Sequence, residues 1–384
     1  GAIRPVRGVL PAALAARDAR RVLVVPKENA EEASLASGLT VFAVDHLLEI
    51  AGHLSGQAPL PPYQARGLLR APFPYPDLAE VQGQAAAKRA LLVAAAGAHN
   101  LLLSGPPGTG KTLLASRLPG LLPALDEDEA LEVAAIHSVA SHVPLRHWPQ
   151  RPFRQPHHSA SAPALVGGGS RPQPGEITLA HQGVLFLDEL PEFERKVLEV
   201  LREPLESGEI VIARANGRVR FPARFQLVAA MNPCPCGYLG DPSGRCRCTP
   251  EQVQRYRGKL SGPLLDRIDL HVSVLRESTS LQPGHGETAT AEVSERVGAA
   301  RKRQLARQGC ANAHLDLQAM HRNCALAEAD RRWLEAAGER LELSLRALHR
   351  ILKVARTLAD LERIDAIERR HLAEALQYRA MTST

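Results

Sequence analysis

Eight residues, Gly105-Pro-Pro-Gly-Thr-Gly-Lys-Thr112, constrain the fold more than any other part of this chain. They follow the apolar run Asn100-Leu-Leu-Leu-Ser104 and precede the helix-like stretch Leu113-Leu-Ala-Ser-Arg117. Strand, glycine-rich turn and helix in that order make a phosphate cradle, because glycines let successive backbone N–H groups curl around an anion at a helix N-terminus. Gly105, Pro106, Pro107, Gly108, Thr109 and Gly110 are then the cradle, Lys111 reaches the outer phosphates, and the Thr112 hydroxyl coordinates Mg²⁺.

Two further apolar runs, Val184-Leu-Phe-Leu187 and Phe225-Gln-Leu-Val-Ala-Ala230, read as buried strands of a parallel sheet with helices between them, an α/β arrangement. The first ends in Asp188 and Glu189, where a nucleotide site needs one carboxylate to hold the metal and one to orient water. Asp188 suits the metal and Glu189 the water. Lys111 and Asp188 lie 77 positions apart, whereas a strand-helix-strand unit needs only about 30 residues. The excess includes Arg151-Pro-Phe-Arg-Gln-Pro-His-His158 and Gly167-Gly-Gly-Ser170. It reads either as a projecting loop that touches a substrate or as a surface loop with solvated histidines.

With 384 residues the chain has room for two or three domains. Pro-rich and Gly-rich punctuation divides it into 1–57, a linker 58–77, an ATPase-like core 78–275, a second linker 276–292 around Thr279 to Gly286, and a helical segment 293–384. Helical patterns are expected over Leu78 to Ala96 and Val44 to Leu54, and a strand at Arg21 to Val25. No run of about 18 apolar residues and no secretory signal is present, so no membrane partner is expected and a cytoplasmic location is. Lys and Arg exceed Asp and Glu by only 47 to 41, which permits an acidic partner without establishing one.

The segment Glu209 to Phe221 carries an Asn216-Gly217 signal between β-prone runs, predicting a hairpin with Ile212 opposite Phe221. Arg214, Arg218 and Arg220 then cluster near its tip, able to grip a phosphate backbone without reading sequence, or to guard an exposed edge against pairing. Cys234-Pro-Cys236 and Cys246-Arg-Cys248 can close a tetrathiolate Zn²⁺ site, although Cys-x-Cys is tighter than the usual spacing and reduced, metal-free thiols remain the alternative. Arg245 and Arg247 beside them suggest a small knob for DNA or a neighbour. Cys310 and Cys324 read as core or surface thiols.

With these residues in place, the chain resembles an AAA+ ATPase and, more narrowly, the magnesium-chelatase-like ComM/YifB family of bacterial DNA-processing proteins. The resemblance is carried by Val81-Gln-Gly-Gln84, Ala98 to Thr112, Phe153 to His158, Pro174 to His181 and Leu260-Ser-Gly-Pro-Leu-Leu-Asp-Arg-Ile-Asp-Leu270. It implies an AAA+ P-loop core, an α-helical lid, and the C-terminal part of a Lon-protease-like domain over 1–57. That domain would lack peptidase activity, since Ala12 stands near the place of the catalytic lysine and the serine half would precede Gly1.

The resemblance implies ATP and Mg²⁺ as cofactors, Gln84 among the nucleotide contacts, and Asn232 as the polar sensor near the γ-phosphate. It makes Arg267 the arginine finger for a neighbouring subunit, with an ion pair to Asp266 or Asp269 as the plain alternative. On the helix opened by Ser344, with apolar positions Leu345, Leu348, Ile351, Leu352, Ala355 and Leu358, it puts Arg346 at the phosphates. Arg350, Lys353 and Arg356 read as a solvated face. It further implies a homo-oligomer, a hexameric ring, working on single-stranded or branched DNA as a helicase in recombination and natural transformation. A chelatase-type motor remodelling a metal-inserting partner shares the same core motifs, and a scaffold binding ATP as a structural ligand is a rival of another class.

Overall fold

In a computed structural model, the structure describes residues 1–67, 75–140, 148–169, 173–214, 217–242, 244–276 and 288–380. The second expected linker therefore falls mostly outside the described residues. Five strands form the central sheet: β1 (Leu101–Ser104), β2 (Phe153–Arg154), β3 (Val184–Leu187), β4 (Gln226–Met231) and β5 (Leu270–Ser273). Their order is β5-β1-β4-β3-β2, and every pairing is parallel. Each neighbour is reached by a crossover, and both faces of β3 and β4 are covered, which is why these strands read as continuous apolar runs.

Side chains leave a strand alternately, so the sheet feeds two cores. Leu101, Leu103, Phe186, Val228 and Ala230 face α1 (Ala85–Gly97) and α2 (Lys111–Leu121). Leu102, Leu185, Leu187, Leu227 and Ala229 face Leu190, Val197, Leu201, Ile210, Leu260 and Leu264. α1 is alanine-rich and buried from Ala90 to Gly97, where small side chains allow close approach and favour the helix. The helix expected from Leu78 starts only at Ala85. A 3₁₀ turn occupies Leu78–Glu80, and Gly83 and Gln84 both adopt left-handed backbone, which breaks helical continuity.

The C-terminal segment is helical, with α3 (Thr290–Gln308), α4 (Leu345–Leu361) and α5 (Arg369–Ala380) the longest of its helices beside Glu328–Arg340. The apolar core around α1 continues into it through Val293, Val297, Ile351, Val354, Leu358 and Leu372. Asp77 ties the start of the core to the start of α3, accepting from the Thr290 N–H at 2.8 Å and its hydroxyl at 2.9 Å. Ser344 caps α4 by accepting from the Ala347 N–H.

The rest of α4 corrects the expected solvated basic face. Arg356 is 3% exposed, pairs with Asp360 and donates to the carbonyls of Ile364 and Asp365. Lys353 donates to the Ala313 and Leu315 carbonyls, and Arg350 pairs with Asp269. Leu345, expected in the core, is 68% exposed. The helix packs against α1, α3 and α5, so its basic side satisfies buried acceptors while its first turn overhangs solvent.

At the N-terminus, helix Val9–Asp18 packs with a two-stranded parallel sheet, Leu23–Pro26 with Val41–Val44. The expected helix from Val44 begins at Leu47, because Val41 to Val44 is recruited as a strand. Leu10 anchors this unit on helix Glu127–Ala140 beside Leu131, Ala134 and Trp148. The start of the first linker is also fastened down: the Tyr63 N–H donates to Val41 O and its hydroxyl to Glu31.

Candidate nucleotide site

The turn Gly105–Gly110 joins β1 to α2, and its backbone has the curl an anion requires. Gly108 and Gly110 take φ of 77° and 84°, and nothing lies within 4 Å of where their Cβ atoms would be. That open, left-handed backbone fits a phosphate chain. Lys111 starts α2 and is 8% exposed; its ammonium donates to the carbonyls of Gly105 (2.7 Å) and Pro106 (2.8 Å) and to Asn232 Oδ1 (3.2 Å). Burial lowers its pKa, and Asp188 and Glu189 oppose that shift.

The Thr112 hydroxyl donates to Asp188 Oδ2 at 2.7 Å, so the two oxygen groups expected to hold Mg²⁺ already meet. Asp188 Oδ1 accepts from the Glu189 N–H. Glu189 has φ 52°, a kink that turns its side chain out of the strand line, and its carboxylate lies 3.1 Å from His158 Nδ1. Sequence reasoning missed that contact. The segment Phe153 to Arg154 joins the sheet edge as β2, which delivers His158 to the ends of β1, β3 and β4, where a ligand site belongs. The expected loop is thus partly a sheet strand, and His158 is engaged with Glu189. Arg154 is also committed, to Glu176. Gln84 donates to the Leu275 carbonyl at 2.7 Å, linking the approach to α1 with the exit of β5.

Past β4 and Asn232 the chain enters the cysteine knob. The sulfur atoms of Cys234, Cys236, Cys246 and Cys248 all lie within 4.8 Å of one another. Backbone N–H groups of Tyr238 and Arg247 pull the Cys236 thiol down to about 6. Four soft sulfur donors converging with N–H groups aimed at sulfur fit a tetrahedral Zn²⁺ site. The knob also touches the cradle: Gly237, at φ 85°, has room for no Cβ, which would lie 2.7 Å from Pro107 Cδ. Arg245 stacks over Tyr238, its guanidinium 4.4 Å from the ring centre.

The hairpin forms between Glu209–Arg214 and Gly217–Pro222, but its register differs from expectation. Ile210 pairs with Phe221 and Ile212 with Val219. The base decides this: the N–H of fully buried Ala223 donates to Gly208 O, which puts Ile210 and Ile212 into the core with apolar partners opposite. Arg214 consequently pairs with Gly217. Asn216 lies outside the described residues, as does the side chain of Arg214. Arg218 and Arg220 are exposed, and Arg220 contacts Glu209 at 3.1 Å.

A family model described as magnesium chelatase, subunit ChlI, matches residues 77–281, and the model for the C-terminal part of that subunit matches 287–379. The chain is 52% identical to the competence protein ComM of Haemophilus influenzae, over 99% of this chain and 76% of that protein. The chain belongs to the ComM/YifB family. Within the ComM/YifB family it is also 49% identical to YifB of Escherichia coli, over 99% of this chain and 75% of that one. Identity falls to 27%, over 54% of this chain and 60% of the relative, for the magnesium-chelatase 38 kDa subunit of Cereibacter sphaeroides.

Two residues carried over from ComM/YifB relatives sit apart from this cluster. Arg346 is exposed in the first turn of α4. Arg267 is 6% exposed; its guanidinium donates to Pro263 O at 2.6 Å and pairs with Glu206, instead of with Asp266 or Asp269. Asp269 is taken by Arg350. Cys324 is buried and Cys310 half-buried, as free thiols. Among the described residues, no helix is long and apolar enough to cross a membrane.

Proposed function

We propose that this chain hydrolyses ATP as a subunit of a hexameric ring motor acting on single-stranded or branched DNA, as a helicase that promotes branch migration in recombination and natural transformation. One observation carries the reading: Lys111, Thr112, Asp188, Glu189 and Asn232 meet at the C-terminal edge of a parallel sheet beside an open phosphate cradle. That is the inventory phosphoryl transfer needs. Support for the DNA assignment comes from the competence protein at 52% identity and from the exposed Arg218 and Arg220.

Lys111, held by Asn232 and two carbonyls, would turn its ammonium toward the outer phosphates, and the partial loss of solvent around it strengthens that attraction. Thr112 and Asp188 would hold Mg²⁺, which supplies charge neutralisation when bound. Glu189 orients the attacking water, with His158 placed to steady its carboxylate, and Asn232 positions the same water. Arg346 would reach nucleotide phosphates and Arg267 those of a neighbouring subunit, where a guanidinium fits charge spread over several oxygens. In the same reading Zn²⁺ occupies the four cysteines, residues 1–57 derive from a Lon-like domain, 78–275 are the ATPase core and 293–384 its lid, and the protein works in the cytoplasm.

Steady-state ATP hydrolysis with and without single-stranded and four-way-junction DNA tests the proposal, with Lys111→Ala as the blank. The expected result is turnover stimulated by DNA and absent in the blank. Turnover in a verified ring that ignores every DNA would sink the DNA reading in favour of a motor that remodels a metal-inserting protein, the reading supported by the 27% identity to a magnesium-chelatase subunit.

A further inference from the structure

The lid carries a group of cations that the rest of the chain leaves unanswered. Arg296 and Arg303 are seven residues apart on α3, hence about two turns apart on one side of the helix. Ala299 and Ala300 stand between them and are too short to fill the space. The result is a cleft of about 260 Å³ that Asp360, Leu361 and Arg363 at the end of α4 complete. Arg296 and Arg363 are exposed and Arg303 is half-buried. Among the described residues, no carboxylate or carbonyl accepts from any of these three guanidinium groups.

The acids nearby are already engaged. Asp360 is 2% exposed and is held by Arg307 at 2.7 Å, by Arg356 at 3.1 Å and by the Asn312 amide at 2.8 Å. Glu362 is shared by Arg370 and His371. The carbonyls at the end of α4, which would otherwise attract cations, are closed off by backbone: the Ile364 N–H donates to Ala359 O and the Arg363 N–H to Asp360 O. This closure puts Arg363 at φ 62°, in the left-handed region where glycine is the ordinary choice. An arginine stands there instead, which costs the fold stability and leaves a cation at the cleft.

We infer that this cleft is a second site for the phosphate groups of a DNA backbone, separate from the hairpin. The inference rests on the DNA reading proposed above. Guanidinium groups without counter-ions around one hollow suit oxyanions, because each presents N–H donors in a plane that matches two oxygens. The volume sets the class of ligand. Pockets that enclose a whole small molecule begin near about 300 Å³, so this hollow takes phosphate groups and leaves sugar and base outside. Among the described residues that line it, none is aromatic and none carries a side-chain amide. A base therefore has nothing to stack on, and the contact does not read sequence.

Placement separates the cleft from the hairpin. α3 packs through Val293, Val297 and Ala300 on the core that holds Leu101 and Phe186, whereas Ile210 and Ile212 of the hairpin lie in the core on the other face of the sheet. A DNA molecule that meets both sites on one subunit must run around it or present two arms, and a branched DNA has the arms.

The test titrates a four-way junction onto the full chain in its assembled state at several salt concentrations. Arg296→Ala/Arg303→Ala/Arg363→Gly is expected to bind about tenfold or more weakly at low salt, with the salt dependence flattened by about two to three units of slope. Its ATP turnover without DNA is expected to match the parent's. Arg363→Gly alone is the sharpest variant, because glycine suits the left-handed backbone: its melting temperature is expected to hold or rise while junction affinity falls about threefold. A fall in both would mark a role in the fold only and would remove Arg363 from the site.

Adding Arg218→Ala and Arg220→Ala to the triple variant is expected to multiply the losses, as for separate contacts. Parent-level junction affinity in the triple variant, in conditions where the hairpin variant binds more weakly, would overturn the second site and leave the DNA reading standing. A loss confined to inorganic pyrophosphate, followed by thermal shift, with junction binding untouched, would mean a site for free polyphosphate and would overturn it equally. A parent protein that binds neither junction nor single strand would overturn the DNA reading itself, and this site with it.

Discussion

The nucleotide site and the hairpin both carry cationic side chains, yet they are held in opposite ways. Lys111 is almost covered and makes three hydrogen bonds within 3.2 Å. Arg218 and Arg220 stand in solvent, and Arg220 is 70% exposed even with Glu209 beside it. The contrast follows from the work proposed for each. Stabilising charge that develops on a few atoms demands donors fixed beforehand in a place that excludes water. Holding a nucleic-acid backbone as it moves asks for solvated charges that release counterions and let go again.

If that contrast is right, the largest effect belongs to the covered cation. Lys111→Ala should lower ATP turnover by about 10³-fold, within the range for loss of a fixed charge at a phosphoryl transition state. Its melting temperature should stay near that of the parent. Phosphate release and a thermal melt together check this, and turnover within a factor of about ten of the parent would show that Lys111 is not the fixed donor the site implies.

Next in size is the knob that packs on the cradle. Replacing Cys246 and Cys248 with serine should abolish the Zn²⁺ binding proposed for the knob, read by elemental analysis of the parent and variant proteins. It should also weaken ATP binding by about tenfold, since the chain from Asn232 through Gly237 packs on Pro107 and ligand-supporting groups typically matter at this scale. Gly237→Ala makes a cleaner probe of the same contact, because it keeps every sulfur while driving a methyl group against the cradle. Unchanged ATP affinity in Gly237→Ala would separate the knob from the nucleotide site.

These two regions also differ in how much of them could be read from the sequence. The nucleotide site was legible because its parts are local: the cradle, Lys111 and Thr112 are contiguous, and Asp188 and Glu189 end an apolar strand. The parallel sheet followed from the same runs. What escaped is set by long-range contact. No local pattern announces that Phe153 and Arg154 add an edge strand and bring His158 to Glu189. The basic side of α4 looked solvated because its period is that of an amphipathic helix, while its acceptors, Asp269 and the Ala313 and Leu315 carbonyls, lie elsewhere in the chain. In the hairpin, Asn-Gly suggested one turn, but buried Ala223 and the apolar pairs at the base outweigh a turn preference.

A smaller effect is expected at the hairpin itself. Arg218→Ala and Arg220→Ala should leave turnover without DNA unchanged. Together they should reduce affinity for single-stranded DNA at low salt by about tenfold and flatten the salt dependence by about one unit of slope for each phosphate that is no longer neutralised. Titrations at several salt concentrations give both quantities, and a drop in affinity that does not depend on salt would argue against backbone contacts.

The smallest effect concerns Glu209, the acidic neighbour of Arg220 across the hairpin. An exposed pair of this kind contributes little to stability, because water screens it and two flexible side chains must be held together. Glu209→Gln should therefore leave the melting temperature in place. It does, however, remove a negative charge from beside a proposed DNA contact, and so should tighten DNA binding by about two- to fourfold at low salt, with the gain vanishing once the Debye length falls to a few ångströms near 1 M salt. Introduced together with Arg220→Ala, the same change should gain less, since the cation it releases is gone. Equal gains with and without Arg220 would mean that Glu209 acts on the DNA directly, and Arg220 would then lose its place in the grip.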